Sequence, residues 1–259
     1  MHFPTFRTDS ATEIRVHLAP HTLIACELQR RWRKPAVTRK ASFEFIAGER
    51  AGAMDRLQDW IAEVPAKRSI NWVVGPTEAL YFTLPWSPAW VDRSLRDTFA
   101  RERFEQLFER DARTAAFCFA DASPEGGQLV SCISIELHAE LVAHAKRSGC
   151  ALGGIKPSIA AVWNRFRGVL ETEQGTLCVV DGDQQTIVRH NKSRIEDIFV
   201  RPCSPVAKVM ASRGGVFRRF TNDPAHTPMG RSGDLQLPIR RGFVAAQDAT
   251  YAFALCGAL

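Results

Sequence analysis

The sequence predicts an α/β protein in which a β-β-β-α unit occurs twice, with an α-β-β-α-β segment inserted between the copies. Three observations carry this prediction. Segments of period-two alternation come in threes, beginning near Ile14 and again near Thr176. Each trio runs into a stretch with helical spacing, and repetition on that scale is a fold-level signal. The chain has 259 residues and 45% hydrophobic content, enough for one large domain or two small ones. A charged fraction of 24% and an aromatic fraction of 9% exclude a disordered chain, a collagen-like repeat and a disulfide mini-scaffold.

In the first unit, Ile14 to Leu18 alternates apolar and polar residues, Pro20-His21 turns, and Thr22 to Leu28 answers. Pro35 to Phe45 supplies a third strand, anchored by Val37, Phe43 and Phe45. Met54, Leu57, Ile61 and Val64 then recur at helical spacing until Pro65. Ile70 to Val74 is a strongly apolar strand ended by Gly75-Pro76, and Leu80 to Leu84 is another. Residues 89–110 read as a charged helix whose apolar residues drift from Val91, Leu95 and Phe99 to Phe104, Leu107 and Phe108. Such a helix either bends or is covered on two sides. Thr114 to Phe119 and Leu129 to Ile135 flank the turn Ser123 to Gly127 as a hairpin. Leu137, Leu141, Val142 and Ala145 mark a helix ending at Gly149. Cys150 to Ile155 is a short strand, and Ser158 is placed to cap the next helix.

The second unit comprises Thr176 to Val180, Thr186 to His190 and Ile195 to Val200, with turns at Asp181-Gly182-Asp183 and Asn191 to Ser193. Val206 to Ser212 reads as helix, 213–242 as a Gly-, Pro- and Arg-rich loop, and 245–259 as a small buried helix.

No apolar run approaches the ~18–20 residues that span a bilayer, and the first residues lack the pattern of a signal peptide. The seven cysteines are odd in number and scattered, without a C-x-x-C, which points to a reducing compartment, the cytoplasm. The seven histidines form no H-x-x-x-H or H-E-x-x-H, so no metal site is expected. Neither G-x-S-x-G nor a P-loop is present, and no catalytic residues are assigned.

Three groups of residues carry candidate chemistry. Asp181 and Asp183 are suited either to Mg²⁺ beside a nucleotide or to a polar hairpin turn that Asp-Gly geometry favours. Arg30, Arg31, Trp32, Arg33 and Lys34, with Arg39 and Lys40 nearby, form an acid-free basic cluster. It would suit nucleic acid, an acidic partner, lipid headgroups or plain solvation, and nothing else marks a nucleic-acid module. Residues 89–113 hold six basic and six acidic side chains among aromatics; Trp86, Trp90, Arg93, Arg96, Phe99 and Arg103 make a candidate protein-docking face or an ordinary solvated exterior.

The order of elements resembles the actin-like (ribonuclease H-like) superfamily of duplicated β-β-β-α-β-α halves. The insert is more specific: Leu84-Pro85, the helix from Leu95 to Leu107, Phe117 to Phe119, Val130 to Ile135, Leu137 to Ser148, then Gly149 to Leu152 and Ile155 to Ser158. That series looks like the cytoplasmic actin-like proteins of type IV pilus and type II secretion assembly, the PilM and GspL type, over roughly residues 13–205. Residues 1–12 are polar and unpatterned and read as a loose tail; the resemblance implies a first subdomain over 13–85, an inserted subdomain over 86–157 and a reduced second subdomain over 158–259. It implies a scaffold that docks the cytoplasmic segment of an inner-membrane partner, with an assembly ATPase and a second copy of the chain as further candidate contacts. The chain would then be cytoplasmic and held at the inner membrane through its partners.

Departures from the family concern the nucleotide. The first phosphate turn would be Ala19-Pro20-His21-Thr22, where Pro removes a donor and no Gly lets a phosphate approach. The second would be Asp181, Gly182, Asp183 and Thr186, with an extra acid where phosphate would sit. Gly214-Gly215 lacks the flanks of an adenosine step, and only 84 residues follow Gly175. The expectation is a degenerate, non-hydrolysing member without a cofactor; the alternatives are an ATP·Mg-binding ATPase or kinase and, as a minor one, a nucleic-acid binder.

Overall fold

The computed structural model describes residues 12–31, 34–46, 48–64, 66–121, 126–203, 215–222 and 233–258. Strands β1 (Thr12–Leu18), β2 (Thr22–Arg31) and β3 (Lys34–Glu44) form an antiparallel meander. Helix α1 (Ala51–Ala62) follows, and β4 (Arg68–Val74) returns parallel to β1. A strand from further along the chain, β8 (Ala151–Pro157), completes the order β3-β2-β1-β4-β8. One face of β1 carries Ile14, Val16 and Leu18 into the core with Met54, Leu57 and Ile61 of α1. The alternating polar residues Glu13, Arg15 and His17 are also buried. Alternation normally marks a half-exposed strand; here the polar face is covered too.

Leu80–Leu84 (β5), Ala115–Phe119 (β6) and Gln128–Ser134 (β7) make a separate antiparallel sheet in the order β5-β7-β6. It packs Phe82, Leu84 and Val130 against Ala100 and Phe104 of α2 (Arg93–Phe108). Sheet membership thus differs from sequence order. β5, read beside the first unit, joins the insert sheet, and β8, read at the end of the insert, joins the first sheet. The Gly153-Gly154 step allows β8 to close on β4: a Cβ at Gly153 would lie 2.5 Å from Asn71 Nδ2. The helix expected over 89–110 is a 3₁₀ turn, Pro88–Val91, followed by α2. The Asp92 carboxylate caps α2 by accepting from Ser94 N and Leu95 N. The helix is covered on one side only, so Val91 is 91% exposed and Leu95 and Phe99 also face outward.

Helix α3 (Ile135–Arg147), capped by Ser134, leads to β8, and α4 (Ser158–Leu170) leads into the second copy. Its strands β9 (Gln174–Asp181), β10 (Gln184–Asn191), β11 (Arg194–Pro202) and β12 (Val216–Thr221) take the order β11-β10-β9-β12, with β12 parallel to β9. This repeats the first sheet without its fifth strand. Three details differ from the sequence reading. Ser158 is the first residue of α4 rather than its cap, and its Oγ is buried without making a cap bond. Strand β12 lies within the stretch read as loop; it forms because Phe220 is buried against Phe166 and Phe253. The terminal helix is one turn, α5 (Ala252–Leu255), after a 3₁₀ turn at Ala249–Tyr251. The helix expected over 206–212 lies outside the described residues, as do residues 1–11.

Buried Arg15 fastens α5 to β1: Nε donates to Ala254 O at 2.7 Å, Nη2 to Cys256 O at 2.8 Å and Nη1 to Glu13 at 2.7 Å. Two core histidines set an acid limit. His144 on α3 sits 3.1 Å from the Met54 carbonyl and meets Trp72 edge-on; His190 on β10 meets Trp163 at 5.2 Å. Burial is the main cause holding both below the ordinary imidazole value of about 6.5. The unfolded chain therefore binds protons that the folded chain excludes. Stability is full above pH 6.5 and falls as pH drops below it, by up to about 1.4 kcal/mol per pH unit for each excluded proton. Urea midpoints measured across this range should show the fall, and His144→Gln should flatten it.

Candidate functional site

The ends of β1 and β9 bring two hairpin turns together. His17 is the penultimate residue of β1 and Asp181 the last of β9. His17 Nε2 and Asp181 Oδ2 are 2.9 Å apart, and both side chains are fully buried. Phe253 of α5 packs on the imidazole at 4.9 Å. Gly75, just after β4, donates to Leu18 O at 3.0 Å, and a Cβ there would lie 2.9 Å from Asp181 Oδ2. No larger residue fits without moving the carboxylate. Burial, and then the Asp181 charge, push the Tyr81 phenol on β5 above its usual range. Asp181 therefore sits at the end of β9 beside the ends of β1 and β4.

The turns themselves touch. Pro20 lies against Gly182, where a Cβ would be 3.4 Å from Pro20 Cγ. Asp183 is exposed, and its carbonyl accepts from Cys203 N at 2.6 Å. Thr186 is buried within β10 opposite Val179, and its Oγ makes no hydrogen bond among the described residues. The four candidate nucleotide residues thus point to different surroundings: Asp181 to His17, Gly182 to Pro20, Asp183 to solvent and Thr186 to the core. The insert and the second copy also meet, where Arg194 of β11 packs so closely on Gly126 that a Cβ there would lie 2.5 Å from it. Among the described residues no three His, Cys, Asp or Glu side chains converge as metal ligands.

A groove of about 430 Å³ lies between β6 and β8. Phe117, Cys118, Ile133, Leu152 and Ile155 make its walls mainly apolar, and His138 of α3 stands among them. Among the described residues both flanking strands end their sheets, so each presents main-chain groups without a ladder partner among those residues on its outer side. Burial pushes the Cys118 thiol up, with Lys156 opposing. Sequence reasoning identified these strands but not the groove. Its only local signal is the apolar content of Phe117 to Phe119 and Leu152 to Ile155, which suits a buried strand equally well.

The candidate docking face on α2 is partly assembled. The Trp90 ring stacks on Phe99 at 5.2 Å, and its Nε1 donates to Pro85 O at 2.8 Å. The Arg96 guanidinium lies 4.0 Å over Phe119. Trp86, Arg93 and Arg103 are exposed. In the basic cluster, Arg30 and Arg31 end β2 and Lys34 opens β3. Trp32 and Arg33, and the side chains of the whole cluster, lie outside the described residues. Neighbouring Arg39 packs on Trp60 and pairs with Glu63, and Lys40 pairs with Asp248.

No protein-family model matches the chain, and no curated protein matches it. Solved structures do. The cytoplasmic domain of EpsL, an inner membrane component of the type II secretion system of Vibrio cholerae, matches with TM-score 0.60 and 10% identity over 94% of each chain. A Bacteroides thetaiotaomicron protein with actin-like ATPase fold matches with TM-score 0.50 and 7% identity over 76% of this chain and 74% of that one. The fold is actin-like. The PilM-PilN type IV pilus biogenesis complex also matches this actin-like chain, with TM-score 0.56 and 13% identity over 74% of it and 62% of the other. The two hairpin turns that the sequence resemblance assigned to phosphate are, in this actin-like chain, packed on one another through His17–Asp181 and Pro20–Gly182. No helix among the described residues is long and apolar enough to cross a membrane.

Proposed function

We propose that this chain is a cytoplasmic docking component of a pilus or type II-like secretion platform, holding the cytoplasmic segment of an inner-membrane partner. The observation that carries the reading is the apolar groove between the free edges of β6 and β8. An extended peptide laid there gains main-chain hydrogen bonds from a strand edge and side-chain selectivity from the walls. The similarity to the EpsL cytoplasmic domain and to the PilM-PilN complex supports this setting. The work is docking, not turnover: the turns that would grip a phosphate are occupied by each other. The outward stripe of Val91, Leu95 and Phe99, with Trp86, Trp90 and the α2 arginines, is the surface for a further contact such as an assembly ATPase. In this reading, residues 13–85 and 158–259 are the two lobes, and 86–157 supplies both strands that flank the groove, β6 and β8.

Photo-crosslinking in the native cell tests the proposal. A benzophenone side chain at Leu152 should capture the cytoplasmic segment of a single-span membrane protein, and one at Asp183 should not. Equal capture from both positions, or none from Leu152, would remove the groove from the argument.

A further inference from the structure

A second cavity, of about 250 Å³, opens where the polar face of the first sheet meets α4 and the terminal segment. Arg15, Lys156, Asn164, Arg167 and Gly257 line it. Ala161 and Cys256 complete the lining, so three of its seven residues are cationic. The carboxylates nearby are committed: Glu13 accepts from both Arg15 and Asn71, and Glu171 accepts from Arg167. Lys156 is half-buried and forms no ion pair or hydrogen bond among the described residues. Burial holds its ammonium below the usual lysine range, and the Arg15 charge adds to that effect. Arg15 uses three of its five N–H groups on Glu13, Ala254 and Cys256. Glu13 attracts this ammonium but is already bonded to Arg15 and Asn71, so a half-buried ammonium beside a buried guanidinium shares one carboxylate, an incomplete ion arrangement.

We infer that this cavity binds an oxyanion, phosphate or carboxylate, whose charge completes the Arg15–Lys156–Arg167 set. Lysine serves as a point charge toward phosphate, and arginine N–H groups suit either anion. The volume admits a small anion with part of its hydration. The cavity shares no lining residue with the hairpin turns or the apolar groove, although Lys156 lies between the groove residues Ile155 and Pro157 on β8, and the inference does not depend on the docking reading.

Calorimetric titration of the full chain with inorganic phosphate, and separately with acetate, at ionic strength held constant with chloride, tests the site. The expected result is saturable binding that weakens by about tenfold or more in Lys156→Gln. Saturation by phosphate alone assigns a phosphate group, and comparable saturation by acetate assigns a carboxylate. Arg167→Gln, at an exposed position, checks the same loss if Lys156→Gln folds poorly. Thermal unfolding supplies an independent readout. In chloride buffer Lys156→Met should melt above the wild type, because an unpaired charge is gone, and phosphate should narrow the gap. Absence of saturable binding by the wild type, or unchanged binding by both variants, overturns the inference.

Discussion

Replacing Asp181 with alanine should lower unfolding stability by about 3–5 kcal/mol, the cost of leaving one member of a buried pair without the other. His17 would keep its place beneath Phe253 with nothing to accept from or donate to its Nε2. Asp181→Asn keeps a hydrogen-bonding group in the same space and should cost less, about 1–3 kcal/mol. Urea unfolding of the two variants separates these cases. His17→Phe combined with Asp181→Ala should cost less than the two single changes added together, because each removes the other's stranded group. ATP with Mg²⁺ is the decisive addition. If Asp181 is a clasp between lobes, ATP·Mg shifts neither the wild-type midpoint nor that of Asp181→Ala. A wild-type rise that disappears in Asp181→Ala would restore the nucleotide reading, because a ligand stabilises only the state that binds it.

The second large effect is expected at the groove. Leu152→Glu should weaken capture of the inner-membrane partner's cytoplasmic segment by about 30- to 1,000-fold, equivalent to about 2–4 kcal/mol. The carboxylate would have to enter a mainly apolar cleft. Leu152 is 37% exposed, so the free protein should keep its melting temperature within a degree or two. Asp183→Asn, on the exposed hairpin turn, is the matched control and should bind as the wild type does. Peptide titration by fluorescence anisotropy reads both. Full binding by Leu152→Glu would move the docking site elsewhere, with the α2 stripe as the next place to look.

Local signals made the individual elements legible. Apolar alternation located β1, β2 and the strands of the second copy, and the spacing of Met54, Leu57 and Ile61 located α1. Strand β12 was missed because its two aromatics are separated by Arg218 and Arg219 within a Gly- and Pro-rich stretch; only the burial of Phe220 makes it a strand. The α2 stripe was legible as a face, but not as an exposed one, since periodicity reports which residues share a side and not what covers that side. Pro20 and the extra acid Asp183 marked the hairpin turns as unusual. Neither revealed that Asp181 would be spent on His17, 164 positions away along the chain.

What the chain's order of residues settled was the repeated trio of strands and the unusual composition of both turns, because each is written in spacing and residue type over a few neighbouring positions. What only the packed molecule decided was which strands share a sheet, that the two turns close on each other, and that β6 and β8 leave a groove between their free edges. Those outcomes depend on contacts between segments far apart in the chain. Such contacts are chosen by close packing and by the pairing of buried polar groups, which local periodicity does not encode.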